Sequence, residues 1–168
     1  MGAVTFSDTM NGKDVHEAFC EAVRQAQYDH GHSGYTGTIA EKGSYMVIER
    51  PKNIKASTVR EAIVLANFST KYCEQYGSTV KGADTAYDRL VGWYGARLTR
   101  SILDTYNDKW GDCIAIECSP SEVKEYKERN RVGVFVTYKT VNGKTEQIIT
   151  KKTVRNFHLF MFFGWASC

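Results

Sequence analysis

Proline is scarce in this chain of 168 residues, which contains only two, and long apolar runs are missing. So little proline argues against a Pro-rich linker. No segment approaches the ~20 apolar residues that a membrane-spanning helix needs. Residues 1–8 lack a basic stretch followed by an apolar stretch, so they do not have the pattern of a secretory signal. These absences predict a soluble intracellular protein without a membrane partner.

Cysteine pairs with metal-binding or redox spacing are also missing. The chain has five cysteines, an odd number, and no two of them have Cys-x-x-Cys spacing: Cys20, Cys73, Cys113, Cys118 and Cys168. We interpret them as buried free thiols in a reducing cytoplasm. The net charge of +3 is too small to predict nucleic-acid binding by itself, so nucleic acid is only a weakly supported partner.

Apolar and aromatic residues are plentiful by contrast. Hydrophobic residues make up 42% of the chain, with eight Phe, ten Tyr and three Trp. A chain of this length buries roughly two thirds of its unfolded surface when it folds. We therefore predict an ordered single domain that covers residues 1–168.

Three segments have the apolar spacing of three and four residues that is typical of amphipathic helices. They are residues 12–29, 56–76 and 87–110, the last either continuous or broken at Gly92 and Gly95. Residues 82–85 are predicted to form a loop. Short strands are predicted at residues 3–6, 44–50 and 113–118.

The C-terminal third has a different pattern. Ser119 is a predicted cap for a short helix over 120–130, and strands follow at 132–141, 145–153 and 157–165. The pair Asn142-Gly143 is typical of a tight hairpin between the first two strands. The last strand is apolar on both faces, which indicates a central position in a sheet. The whole pattern predicts an α+β domain whose N-terminal helices pack on a C-terminal, mainly antiparallel sheet.

The glycine-rich segment after the first helix is the best candidate for a binding site. Glycines allow the backbone to approach a ligand closely, while rings and hydroxyls supply stacking and hydrogen bonds. The residues predicted to bind are His30, His32, Gly34, Tyr35, Thr36, Gly37 and Thr38. The alternative is a tight loop whose tyrosines pack on the sheet. The segment runs from helix to strand, so it lacks the helix N-terminus of a phosphate-binding loop.

A metal site at this loop is the weaker interpretation. His30-x-His32 beside Asp29 would need further ligands from distant residues such as His158 or Glu41. We therefore predict no metal and no cofactor.

Two basic clusters lie elsewhere in the chain. Arg97 and Arg100 share a predicted helical face with Arg89 and Trp93. The pair Arg97 and Arg100 is a candidate for an anion clamp beside Trp93 that joins the loop. The alternative is a solvated basic face. Lys151, Lys152 and Arg155 form the second cluster, which we interpret as lysines that protect an exposed strand edge.

Three blocks of sequence occur together in a recognisable combination. The first runs from Met1-Gly2-Ala3 to Asn11-Gly12-Lys13, with Ala18-Phe19 after it. The second is Gly34-Tyr35-Thr36-Gly37-Thr38-Ile39-Ala40-Glu41-Lys42, and the third pairs Lys109-Trp110-Gly111 with residues 162–167. The combination resembles a group of small, uncharacterised proteins encoded by bacteriophages and prophages. The resemblance implies a viral accessory protein in the cytoplasm of a bacterial host, or one packaged with the virion. Such proteins often counter host defence by capturing a signalling nucleotide or blocking a host protein.

The leading functional prediction is a non-enzymatic binder of a small anionic, nucleotide-like ligand or of a host protein. One alternative is an enzyme on nucleotides or nucleic acid, with His30 or His32 as an acid–base or metal-binding group. The other is a virion or assembly component that associates through its aromatic C-terminal strand, which makes a homo-oligomer possible.

Overall fold

The structure, a computed structural model, describes residues 2–32, 34–73, 80–141, 144–152, 154 and 157–168. The helices are α1 (Val15–His30), α2 (Ala56–Ala66), α3 (Ala83–Tyr94), α4 (Ala96–Asn107) and α5 (Pro120–Arg129), with a 3₁₀ turn at Ile39–Glu41. The strands are β1 (Ala3–Gly12), β2 (Tyr45–Ile48), β3 (Cys113–Glu117), β4 (Val134–Val141), β5 (Lys144–Lys151) and β6 (His158–Ser167).

Four strands form the main sheet in the order β1-β6-β3-β2. β6 runs antiparallel to both of its neighbours, whereas β2 and β3 run parallel. β6 thus has a paired strand on each side, and Phe162 and Phe163 at its middle are fully buried. The prediction of a central strand buried on both faces is confirmed, and burial of each phenylalanine contributes about 1.5–3 kcal/mol.

Helices cover both faces of this sheet. On one face, Leu159 and Phe163 of β6 pack with apolar residues of α2, α3 and α4. On the other face, Phe160 and Phe162 pack with Phe19 of α1 and with the 3₁₀ turn. Alternate residues of a strand point to opposite faces, so the continuous apolar run in β6 serves two cores at once.

The α+β class agrees with the sequence prediction, but the predicted arrangement is only partly right. The main sheet is assembled from the whole chain, because β1 extends to Gly12 and pairs with β6 over its full length. β4 and β5 form a separate two-stranded sheet instead of joining β6. Strand periodicity identifies an extended segment but not its partner, and this accounts for the difference.

Several predicted boundaries in the helical region are wrong. The helix predicted from residue 12 begins at Val15, and the segment predicted to end at residue 110 ends at Asn107. α2 ends at Ala66 and turns follow it, while residues 74–76 of the predicted helix lie outside the described part of the chain. Residues 83–85, predicted as loop, begin α3. The third helical segment is divided at Gly95 alone, where a φ of +77° favours glycine. Gly92 stays inside α3.

Local signals also account for several element ends. Asp14 caps α1 by accepting a hydrogen bond from the backbone N–H of Glu17 at 2.8 Å, and Gly31, with a φ of +88°, ends the helix. Ser119 caps α5 as predicted. β4 and β5 pair as a hairpin up to Val141 and Lys144, whereas the predicted turn at Asn142-Gly143 lies outside the described residues. Among the helices that the structure describes, none is long and apolar enough to cross a membrane.

Candidate functional site

Helix α4 presents two chemically different sides. Its apolar side is buried in the core through Ile102, Leu103 and Tyr106. The opposite side repeats polar residues at helical spacing, and these are Arg97, Arg100, Ser101, Asp104 and Asn107. The burial of the apolar side holds this polar row in a fixed position at the surface.

The segment after α2 forms a wall opposite this row. Ser69 is fully buried, and its hydroxyl donates a hydrogen bond to Asp84 Oδ1 at 2.6 Å. The same carboxylate accepts a hydrogen bond from the backbone N–H of Thr70 at 3.1 Å, and these bonds lower the pKa of Asp84, with that from Ser69 contributing most. Residues 67–73 are therefore tied to the start of α3, and Phe68 is left with 49% of its surface exposed.

A hydrogen-bond network joins the two walls. The Tyr72 hydroxyl donates to Asp104 Oδ1 at 2.9 Å, and burial raises the pKa of Tyr72 to about 12. The side-chain amide of Asn107 donates to the Tyr72 oxygen at 3.1 Å and also reaches the side-chain oxygen of Asn67. The network leaves the amide and hydroxyl groups in defined positions around one space.

That space is a cavity of about 690 Å³, within the range typical of small-molecule sites. Its lining is Asn67, Phe68, Tyr72, Cys73, Arg100, Asp104 and Asn107. A shallower groove of about 520 Å³ continues along α4 and shares Arg100 and Asp104 with the cavity. Arg97, Ser101 and Tyr87 line this second groove. We call the two together the α4 groove.

Arg97 and Arg100 both line the α4 groove. Trp93 is not among the described residues that line it. The reason is Gly95, which ends α3, so that residues 93 and 97 belong to different helices. Trp93 packs against the core and against Tyr94 instead, with ring centroids 6.4 Å apart. The predicted continuous face that joined Trp93 to the two arginines is therefore wrong.

The predicted loop uses its threonine hydroxyls within the chain. Thr36 donates from its hydroxyl to Glu41 Oε1 at 2.8 Å and from its backbone N–H at 3.0 Å. Thr38 caps the 3₁₀ turn by accepting a hydrogen bond from the backbone N–H of Ala40. Burial raises the pKa of Glu41, but the hydrogen bonds from Thr36 and Tyr35 lower it further than burial raises it. A carboxylate of the protein thus takes the place that an anionic ligand would occupy at Thr36.

The rest of the loop is held against two neighbouring segments. The backbone N–H of Gly37 donates to the carbonyl oxygen of Ser167 at 2.9 Å. Tyr35 meets the ring of Trp110 edge-on, with centroids 6.1 Å apart. Lys42 is almost fully buried, and its ammonium group donates to the carbonyl oxygens of Asp108 and Gly111. Residues 34–42 therefore hold the connection between α1 and β2 against the connection between α4 and β3.

His30 and Thr38 line a crevice of only about 120 Å³ between β1 and α1, separate from the α4 groove. His32, Gly34 and Tyr35 are exposed. The described lining of the α4 groove includes none of residues 30–38, so the structure does not bring the two halves of the predicted site into one cavity.

The metal interpretation of the two histidines finds no further ligands. Glu41 is engaged by Thr36, and His158 lies 2.8 Å from Glu117. Across the described ranges, no three His, Cys, Asp or Glu side chains form a group that could hold a metal ion.

A second basic cleft lies where the parallel strands β2 and β3 end. Arg50, Lys52 and Lys55 line it together with Ser119 and Ser121, and its volume is about 450 Å³. Helix N-termini at such a position attract anions. Here, however, the amides of Ala56 and Ser57 at the start of α2 already donate to the carboxylate of Glu122. The α4 groove is therefore the stronger candidate.

Several residues of the α4 groove escaped the sequence analysis. Phe68 and Cys73 continue the apolar spacing of the helix predicted over 56–76, which is typical of core residues, and Asn67 and Tyr72 carry no signal of their own. Asp104 and Asn107 follow Arg100 by four and seven residues, so the helical repeat itself placed them on the face of the arginine.

We compared the chain with protein-family models, curated proteins and solved structures. No protein-family model matches the chain, and no curated protein or solved structure is significantly similar to it.

Proposed function

We propose that the protein is a non-enzymatic binder of a small anionic ligand that carries an aromatic base, such as a nucleotide, and that the ligand binds in the α4 groove. The observation that carries this proposal is the position of Arg100. Its side chain lines both parts of the groove, and among the described residues it has no acidic group within 4.0 Å. A guanidinium in this state is suited to a phosphate or carboxylate.

The other groups around Arg100 match the remaining parts of such a ligand. Phe68 offers an exposed ring on which a base can stack. The amides of Asn67 and Asn107 carry donors and acceptors for the edge of a base. Arg97, three residues before Arg100 on the same helix, supplies a second positive charge in the adjoining groove.

Two observations favour binding without turnover. The described lining of the α4 groove contains no histidine, and its one carboxylate, Asp104, accepts a hydrogen bond from Tyr72. His30, the candidate acid–base group of the enzyme alternative, lies in a crevice of about 120 Å³, smaller than a typical nucleotide site. In a phage protein within the bacterial cytoplasm, as the sequence resemblance implies, such binding would remove a signalling nucleotide from the host's defence.

Titration calorimetry with a panel of linear and cyclic nucleotides tests this function. We expect Arg100→Gln to weaken binding by about tenfold or more, because the charge-assisted hydrogen bond to the anion is lost. Arg89→Gln is the matched control, since Arg89 is an exposed arginine on α3 outside the lining of both cavities. Thr36→Val tests the loop in the same assay.

Cys73 provides a direct readout of occupancy because it lines the cavity. In a Cys20→Ser/Cys168→Ser background, bound ligand should slow alkylation of Cys73. If none of the nucleotides binds, the proposed function is wrong. If binding survives Arg100→Gln but is lost in Thr36→Val, the site is the loop and not the α4 groove.

A further inference from the structure

The β4–β5 hairpin stands apart from the main sheet. Its two strands pair with each other along their whole length, with Val134 opposite Lys151 at one end and Val141 opposite Lys144 at the other. In the part of the chain that the structure describes, neither strand pairs with a third strand, so both outer edges keep unpaired backbone groups. An isolated two-stranded ribbon is only marginally stable in water. Such edges are templates for a further strand.

The ribbon also exposes large apolar side chains on both faces. They are Phe135 (50% exposed), Val136 (41%), Tyr138 (70%), Ile148 (42%) and Ile149 (60%). Directly opposed residues share a face, so Val136 and Ile149 lie together, with Tyr138 next along the same face. Phe135 lies on the other face, with the ammonium group of Lys152 5.2 Å from its ring centroid. Exposed apolar residues at this density mark an interaction surface.

Positive charge is concentrated in the same segment. Residues 131–155 contain six basic residues and one acidic residue, which gives the segment a charge of +5. The whole chain carries +3, so the remaining residues sum to −2. Lys151 and Lys152 are exposed, whereas Arg155, predicted to belong to the same cluster, lies outside the described residues. Lysines that only protect a strand edge do not account for the apolar side chains beside them.

The root of the ribbon is fixed to α5. The backbone N–H of Lys152 donates to the carbonyl oxygen of Gly133 at 2.7 Å, and that of Val132 donates to the carbonyl oxygen of Lys127 at 3.0 Å. The Lys127 ammonium group lies 4.5 Å from the ring centroid of Phe157. The strands therefore project from an anchored base.

We propose that the β4–β5 ribbon is a docking surface for an acidic protein partner, which adds an extended segment with alternating apolar and acidic side chains to one edge of the ribbon. Main-chain hydrogen bonds along the edge would supply affinity, and alternate side chains would supply specificity. The apolar centre around Val136 and Ile149, with the charged Lys151 on the same face, matches the apolar core and charged rim of a protein interface. This proposal is independent of the α4 groove.

Two other occupants fit less well. Nucleic acid would satisfy the lysines, but the aliphatic pair Val136 and Ile149 offers no hydrogen-bonding group to a phosphate or a base. A second copy would bring together two segments 131–155 that each carry +5, and like charges at an interface are unfavourable.

Selection of a displayed library of random short peptides against the full-length protein tests the proposal. We expect enriched peptides to alternate apolar and acidic residues. Their affinity, measured by fluorescence anisotropy, should fall by about tenfold or more in Ile149→Ser and in Lys151→Glu/Lys152→Glu. Bound peptide should slow hydrogen exchange of backbone amides in β4 or β5.

Two variants serve as matched controls. Val47 is an exposed apolar residue (55%) on β2, an edge strand of the main sheet, so Val47→Ser should leave binding unchanged. Lys81→Glu, an exposed charge reversal outside the ribbon, should have little effect. Because Ile149 is exposed, Ile149→Ser should keep its thermal midpoint, which circular dichroism checks.

Any of four results would overturn the proposal. The selection enriches no sequence pattern, or the enriched peptides bind the ribbon variants as well as the unmodified protein. A short DNA duplex binds with the same dependence on Ile149 and the lysines. Light scattering shows a dimer that the ribbon variants abolish, in which case the occupant is a second copy.

Discussion

The carboxylate of Glu122, in the first turn of α5, accepts a hydrogen bond at 2.9 Å from the backbone N–H of Ala56, the first residue of α2. The same carboxylate accepts hydrogen bonds from the backbone N–H of Ser57 at 2.9 Å and of Ser119 at 2.8 Å. α2 has no capping side chain of its own at Lys55. One side chain therefore caps two helices whose first residues lie more than sixty positions apart in the chain.

Replacement of Glu122 by Gln should destabilise the fold. Glutamine keeps one acceptor oxygen and loses the charge, so at least one backbone donor at the start of α2 or α5 is left without its charged partner. We expect the free energy of unfolding to fall by about 1–2 kcal/mol. Urea denaturation measures this change. Glu128→Gln is the control, because Glu128 is exposed on the same helix and its ion pair with Lys124 is long, so a loss below about 0.5 kcal/mol is expected. Equal losses in the two variants would contradict the double cap.

Glu122 should also make stability depend on acid pH. Burial raises the pKa of Glu122, but hydrogen bonds from Ser119, Ser57 and Ala56 together lower it from 4.5 to about 2. A carboxyl group with a lowered pKa in the folded state stabilises the fold above its unfolded pKa, and this contribution is lost as the pH falls towards the folded pKa. The difference in stability between the unmodified protein and Glu122→Gln should therefore shrink between pH 4.5 and about pH 2. A difference that stays constant across this interval would show that Glu122 does not titrate in this way.

Gly37 and Gly34 should respond differently to alanine although both have a φ of +71°. A Cβ at Gly37 would lie 2.5 Å from a methyl carbon of Val4, whereas a Cβ at Gly34 would meet nothing within 4 Å. We expect Gly34→Ala to cost about 1 kcal/mol from backbone strain alone. Gly37→Ala should cost about 1–3 kcal/mol more, because it also overpacks the contact with β1.

Thermal unfolding compares these two variants. Val4→Ala should restore part of the stability that Gly37→Ala loses, since it removes the clashing methyl groups, and it should not restore any to Gly34→Ala. The packing explanation fails if Val4→Ala leaves the cost of Gly37→Ala unchanged.

The five cysteines should differ in their reactivity towards a thiol reagent in the folded protein. Cys20 and Cys168 are exposed, Cys73 is half-buried, and Cys113 and Cys118 are buried. The prediction of buried thiols is therefore wrong for Cys20 and Cys168. Burial raises the pKa of both buried thiols to about 12, so little of the reactive thiolate forms near neutral pH.

Alkylation followed by peptide mass spectrometry measures this order. We expect Cys20 and Cys168 to react first, Cys73 next, and Cys113 and Cys118 only in denaturant. Rapid labelling of Cys113 in the native protein would mean that β3 is more accessible than its packing in the centre of the sheet implies.

Local sequence patterns predicted the helices and strands better than they predicted which segments pack or pair with one another. The run 159–165 indicated a strand buried on both faces, and Ser119 indicated a helix start, because both signals depend on residues within one element. Phe68 and Cys73 continued the apolar spacing of α2, yet the helix ends at Ala66 and both side chains line a cavity. Periodicity does not show where tertiary contacts end a helix. Thr36 had the right chemistry for an anion, but Glu41 of the same chain occupies its donors.

Several features follow from local sequence alone: the α+β character, most of the strands, the cap of α5 and the polar repeat along α4. These features depend on backbone preferences, side-chain spacing and hydrogen bonds between residues only a few positions apart. Three other features arise only when distant segments pack: β1 pairs with β6, the β4–β5 ribbon stands apart, and Arg100 faces residues 67–73. These features depend on how well segments distant in the chain pack against each other. The sequence of either segment alone does not show which partner it packs against.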